Sequence, residues 1–211
     1  MARLFNRNFI VGVTGSIAAY KAAELTRSLI REGANVRVIM TEGACEFITP
    51  LTLQALSGHE VHTDLLDTEA EAAMGHIELA RWADALLIAP ASADSIARLV
   101  QGRADDLLGA CALATPAPVF VAPAMNQEMW AKQATQDNVQ TLVSRGIAML
   151  GPSSGSQACG DVGAGRLLEP DDIVSAVAEH LSTGALTGRH VVITAGPTRE
   201  PICPVRYISN R

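Results

Sequence analysis

Three side chains in this sequence are of types suited to proton and carboxylate chemistry: His76, Asn126 and Cys159. His76 opens "HIELARWA", a stretch with a helical pattern, so it falls at or near a helix N-terminus. There the helix dipole favours a neutral imidazole, which can take a proton, although a surface histidine can also simply begin a helix. Asn126 lies in "PAMNQEMW", where the apolar run "APVFVA" gives way to a helical pattern. Its amide is either a helix N-cap or the holder of a polar group inside an apolar frame. The frame is Met125, Met129 and Trp130, side chains that also serve as ordinary core. Cys159 sits in the Gly-rich stretch "GSQACGDVGAGR", where an accessible thiol is either reactive or incidental.

Two further stretches suit a phosphate-bearing ligand. "VGVTGSIAAYK" places Gly12, Gly15 and Ser16 between an apolar run and a helical pattern. Small residues there let backbone N–H groups and a helix N-terminus face an anion. The stretch is neither G-x-x-x-x-G-K-[ST] nor G-x-G-x-x-G, so a plain tight turn reads equally well. "APASADS" repeats the device, with Ser92 and Ser95 as hydroxyl donors or as caps. "VIMTEGACEFIT" adds Thr41, Phe47 and Thr49. The two lysines, 21 and 132, both lie in helical patterns, which weighs against Schiff-base chemistry.

The elements that must position these residues alternate along the chain. "FIVGV" (9–13), "VRVIM" (36–40), "ALLIA" (85–89), "VFVA" (119–122) and "IAML" (147–150) read as short strands buried on both faces. Helical patterns separate them: one ending at Gly33, "SADSIARLVQG" ending at Gly102, and a single long one from Gln127 to Gly146. Strand and helix in alternation predict an α/β fold with an open, doubly wound parallel sheet. In such a sheet ligands bind at the carboxyl ends of the strands. Residues 151–167 have no periodicity and read as a functional loop. "PDDIVSAVAEHLS" (170–182) reads as a closing helix, giving a domain over 1–184. Residues 185–211 read as a linker and the opening strand "HVVIT" of a second α/β domain, as though the chain were a fragment.

Composition narrows the function classes. With 211 residues, 48% of them hydrophobic, the chain can bury a sizeable core. Net charge is -6, the sequence pI is about 5.3, and no basic run stands out, which argues against nucleic acid. No apolar stretch reaches the roughly 18 residues of a membrane span. The short apolar run near the N-terminus imitates a signal peptide but reads as the first strand. Cys45, Cys111, Cys159 and Cys203 are far apart, which argues against a metal site and a disulfide framework and fits a reducing cytoplasm.

Taken together, "GSIAAYK", "PASADS", "MGHIELARWAD", "PAMNQEMW" and "GSQACGDVGAGR" resemble, in the same order, the flavin-containing cysteine decarboxylases. The resemblance runs over residues 8–182, and the segment around Cys159 points to the phosphopantothenoylcysteine decarboxylase branch. The tail "VVITAGPTREPICPVRYISN" resembles the opening of phosphopantothenate–cysteine ligase, with Asn210 at a functional position of that domain. The cofactor that the resemblance implies is FMN. It would be held by Gly15, Ser16 and Ile17, by Thr41, Phe47 and Thr49, and by the turn Ala91, Ser92, Ala93 and Asp94. Asp94 stands where many relatives carry Asn, which leaves a side-chain role there open. His76, Asn126 and Cys159 match the family's catalytic residues, with Met125, Met129 and Ala158 beside the substrate.

The reaction implied is decarboxylation of 4′-phosphopantothenoylcysteine. Direct loss of CO2 would leave an unstabilised carbanion. Hydride removal by FMN makes a thioaldehyde β to the carboxylate, and its C=S takes the electrons as CO2 leaves. Cys159 would protonate the resulting ene-thiolate, Asn126 would hold the carboxylate, and His76 would take a proton or position the thiol. The resemblance also implies a homo-oligomer, a trimer with flavin between subunits, and possibly a dodecamer of four trimers. Two other readings are a flavin prenyltransferase and a non-catalytic flavin-binding regulator. The first lacks the "PAMNQEMW" and "ACGD" segments, and the second often carries a long acidic tail that is missing from this sequence.

Overall fold

The structure is a computed structural model that describes residues 2–65 and 75–182, with 190, 192, 196, 199–203 and 205–209 of the C-terminal segment. Chain contacts divide it into Met1–His180 and Leu181–Arg211. The first unit is built on a six-stranded sheet of β1 (Asn8–Val13), β2 (Asn35–Met40), β3 (Val61–His62), β4 (Ala85–Ala91), β5 (Val119–Pro123) and β6 (Ala148–Met149). The order is β3-β2-β1-β4-β5-β6 and every pair is parallel, as the alternation of strands and helices predicts. β4 is buried at all seven positions, as a central strand covered on both faces must be.

Among the described residues, helices follow the strands, most of them packed on the sheet. They are α1 (Lys21–Arg31), α2 (Glu42–Cys45), α3 (Pro50–Ser57), α4 (His76–Trp82), α5 (Ala93–Gln101), α6 (Leu107–Ala114), α7 (Gln127–Ala131), α8 (Gln133–Ser144) and α9 (Pro170–Leu181). Ile10, Leu86, Ile88 and Val121 pack with Leu79 of α4, Ile96 of α5, Leu108 of α6 and Leu142 of α8. The alternate residues of the strands face the other way, where Phe120 meets His180 of α9 edge to face.

Two expectations change, and one strand has none. The single helix from Gln127 is two, because Lys132 adopts extended backbone (φ -63, ψ 136) between α7 and α8. Residues 151–167 are not an aperiodic loop. They hold an antiparallel hairpin, β7 (Ser153–Ser156) with β8 (Val162–Arg166), whose Gly and Ser content hides the strand pattern. The two-residue edge strand β3 carries too little pattern to be read from sequence. In the second unit, β9 (Arg199–Pro201) and β10 (Tyr207–Ser209) pair antiparallel. The expected strand "HVVIT" falls largely outside the described residues, and Asn210 lies outside them.

β1 and β4 are neighbours whose following segments belong to opposite halves of the sheet, so a crevice opens at their carboxyl ends. Thr14, 1% exposed, ties the two sides of the crevice together. Its Oγ1 donates to the Pro90 carbonyl at 2.8 Å and accepts from the Ser92 backbone N–H at 2.9 Å. Thr14→Val keeps the shape but leaves the Ser92 N–H without this acceptor. We expect it to lower unfolding stability by about 1–3 kcal/mol, read from the midpoint of urea denaturation at unchanged slope.

Candidate functional site

The crevice opens into a cavity of about 680 Å3. Two strand-to-helix turns form one side. After β1, Ser16 caps a short 3-10 helix (Ile17–Tyr20), its hydroxyl accepting from the Ala18 N–H at 3.2 Å. After β4, Ser92 caps α5 by accepting from the Ser95 N–H at 3.2 Å. Both serines therefore act as caps, and both line the cavity. Gly15 lies at a close approach: a Cβ there would stand 3.1 Å from the Gly43 backbone, a tight contact. That contact brings the α2 segment beside the first turn. Thr41 precedes it, with its N–H donating to the Val13 carbonyl at 3.0 Å.

The other side is the start of α7 and the tip of the β7–β8 hairpin. Asn126 is the N-cap of α7, its Oδ1 accepting from the Glu128 N–H at 2.8 Å. That leaves the amide N–H groups free to act elsewhere. Nδ2 donates to Asp161 Oδ2 at 3.0 Å and to Cys159 Sγ at 3.4 Å. Capping and presentation of a donor are thus done by opposite ends of one amide. The hairpin is pinned to this segment by Gly165, whose carbonyl accepts from the Met125 N–H at 2.9 Å. A Cβ on Gly165 would run into the Met125 carbonyl. Gln157 adds a second pin, its Oε1 accepting from the Gln127 N–H at 3.0 Å.

The cavity lining thus gathers Gly15, Ser16 and Ile17 with Ser92 and Ala93 on one side, and Met125, Asn126 and Met129 with Ala158 and Cys159 on the other. Thr41, Phe47 and Thr49 stand on the adjoining segment and do not line it. Ala91 is wholly buried in β4. Asp94 turns outward, 73% exposed at its side chain, and pairs with Arg98 at 2.8 Å. His76 begins α4 as expected but does not line the cavity of its own chain. Its carbonyl accepts from the Cys111 thiol at 3.6 Å. Burial pushes that thiol up to about 12, with Asp106 adding to the effect, so Cys111 stays neutral and acts as core.

Several site residues escape a sequence reading. Thr14, Gln157 and Asp161 act through contacts that only the fold creates. Lys21 and Arg166 bring two cationic side chains to the cavity, both beside Glu169, at 2.8 Å and 3.6 Å. Lys21 had a readable signal, since it follows the first turn directly in "GSIAAYK". The whole arrangement suits a flavin. Ile17, Met125 and Met129 offer apolar surface to a flat ring, and two helix starts and two cations stand near for an anionic tail.

Comparison with known proteins agrees with this geometry. Residues 3–182 match the Flavoprotein family, and residues 186–211 match the DNA/pantothenate metabolism flavoprotein C-terminal domain. The coenzyme A biosynthesis bifunctional protein CoaBC of Haemophilus influenzae is 58% identical over 209 residues, 99% of this chain and 52% of the relative. That of Escherichia coli K12 is 57% identical over 208 residues, 98% of this chain and 51% of the relative. The chain thus spans about half the length of the curated relatives it matches. Among solved structures, a cysteine-to-serine mutant of PPC decarboxylase complexed with pantothenoylaminoethenethiol aligns at a TM-score of 0.74 and 32% identity, covering 84% of this chain and 100% of that one. The FMN binding protein AtHal3 aligns at 0.72 and 34%, covering 85% and 99%. With its sheet order, its crevice turns and its matching residues 3–182, this chain belongs to the flavoprotein family.

Proposed function

We propose that the chain catalyses the FMN-dependent decarboxylation of 4′-phospho-N-pantothenoylcysteine to 4′-phosphopantetheine, a step of coenzyme A biosynthesis. The observation that carries the reading is the placing of the Asn126 amide 3.4 Å from the Cys159 sulfur, on a cavity whose other side is two helix-start turns. The names of the relatives support it, both the CoaBC proteins and the aligned PPC decarboxylase. FMN, when bound, supplies an acceptor and later a donor of hydride. The residues of the chain do the rest. One N–H of Asn126 Nδ2 holds the substrate carboxylate by a neutral hydrogen bond, while the other stays with Asp161. An amide suits a group that must leave as neutral CO2, since a guanidinium would stabilise the ground-state anion and raise the barrier. Cys159 delivers a proton to the carbon that loses CO2. Lys21 and Arg166 provide positive charge for a phosphoryl group. The hairpin tip covers the substrate and keeps water out.

In this reading His76 serves the cavity of a neighbouring copy, in a trimer with the flavin between subunits. Exposed apolar side chains support such an interface: Ile17 and Tyr20 on the first turn, Phe47 near it, and Ile77 beside His76. Residues 1–184 form the decarboxylase domain and 185–211 the linker and opening of a ligase domain, a division that the two family matches support. In the whole protein four trimers would form a dodecamer. Four free cysteines fit a cytoplasmic setting.

The purified protein is expected to be yellow and to release CO2 from 4′-phosphopantothenoylcysteine; a protein that binds no FMN would overturn the reading. Cys159→Ser is expected to keep CO2 release and flavin reduction but to stall before product, with an oxidised, decarboxylated intermediate seen by mass spectrometry. Normal product formation by that variant would remove Cys159 as the proton donor. His76→Asn alone is expected to abolish turnover. Co-expression of His76→Asn chains with Cys159→Ser chains should restore part of it, and no restoration would remove the shared site.

A further inference from the structure

The tip of the β7–β8 hairpin carries an acid in contact with two of the proposed site residues. Asp161 Oδ2 accepts from Asn126 Nδ2 at 3.0 Å and from Cys159 Sγ at 3.2 Å. Asn126 Nδ2 also reaches the Cys159 sulfur, at 3.4 Å, so the three side chains close a triangle. An ionised carboxylate only accepts hydrogen bonds. In both contacts the Asp161 oxygen accepts, with the N–H of Asn126 and the S–H of Cys159 as donors. The backbone holds the acid in register, because the Asp161 carbonyl accepts from the Gln157 N–H at 2.8 Å. Gln157 is itself bonded to the start of α7. Cys159 is exposed, and its sulfur has a further, longer contact in the turn, to Gln157 Oε1 at 4.0 Å.

We infer that Asp161 is a positioning residue for Cys159: its carboxylate accepts the thiol hydrogen bond and holds the sulfur at the Asn126 amide. It then serves protonation and not oxidation. The inference rests on the decarboxylase reading. At protonation the Cys159 S–H bond breaks and a C–H bond forms at the carbon that lost CO2. The electron pair comes from the ene-thiolate double bond, and the C=S bond of the substrate is restored. Cys159 is left a thiolate, ready to regain a proton from water and return to Asp161. The hydride taken up at oxidation then returns to the sulfur-bearing carbon.

Two readouts test this on the flavin-loaded chain. The first is alkylation of Cys159 by iodoacetamide without substrate, followed by peptide mass spectrometry. Asp161→Ala removes the acceptor and should alkylate at Cys159 roughly threefold faster or more. Asp161→Asn keeps an oxygen that can accept S–H and should stay within about twofold of the unsubstituted chain. The second is a single turnover with 4′-phosphopantothenoylcysteine. Asp161→Ala should reduce the flavin and release CO2 at nearly the unsubstituted rate, yet form product about tenfold more slowly. Asp161→Asn should recover most of that loss. Equal alkylation in Asp161→Ala and the unsubstituted chain, or slowing of oxidation and product formation to the same extent, would overturn the inference. An unsubstituted chain that releases no CO2 would instead sink the decarboxylase reading, and the alkylation rates would still decide whether Asp161 holds the thiol.

Discussion

β1 and β4 lie side by side, and the chain leaves them toward opposite halves of the sheet. A parallel sheet cannot close that gap with its own loops, so a crevice is unavoidable there. The Thr14 hydroxyl makes the crevice a fixed shape, since it bonds the Pro90 carbonyl and the Ser92 N–H across the gap. Two helix starts are thereby held at one distance from each other. The position of the cavity, and of everything that faces it, depends on this constraint.

Against that rigid side stands a lighter one. The hairpin is an antiparallel pair rich in Gly and Ser, with little side chain to bury. It keeps its place through a few polar contacts: the Gly165 carbonyl on the Met125 N–H, and the Gln157 amide on the Gln127 N–H. Both anchor points lie within one residue of Asn126. The same short segment therefore ends β5, caps α7 and anchors the hairpin that carries Cys159. An element held by few buried apolar contacts can open at low cost.

Asn126 shows how one side chain resolves two readings. From "PAMNQEMW" alone a helix cap and a polar holder compete. The structure divides the amide, with oxygen to the helix and nitrogen to Asp161 and Cys159 of the hairpin tip. Ser16 and Ser92 divide less evenly, because both hydroxyls are occupied as caps while their turns still line the cavity. At Asp94 the side-chain role left open by the sequence goes to Arg98 one turn along the helix, with which the carboxylate pairs at 2.8 Å.

The sequence by itself determined the sheet strands of useful length, the alternation that makes the sheet parallel, and the turns at its carboxyl edge. Those features are local: short buried apolar runs, Gly at helix ends, and small residues after β1 and β4 are each visible within about a dozen residues. It also placed Asn126 and Cys159 in separate motifs, joined only through the family resemblance and by no contact that the residues themselves predict. Only the tertiary structure decided that the two meet, that Thr14 and Asp161 hold the pieces together, that Lys21 and Arg166 share Glu169, and that His76 stays outside the cavity of its own chain. Such facts are pairings between distant segments, up to 148 residues apart for Lys21 and Glu169. Hydrogen bonds of this kind leave no periodic trace in a sequence, because they depend on where the backbone carries two residues and not on what lies beside either one.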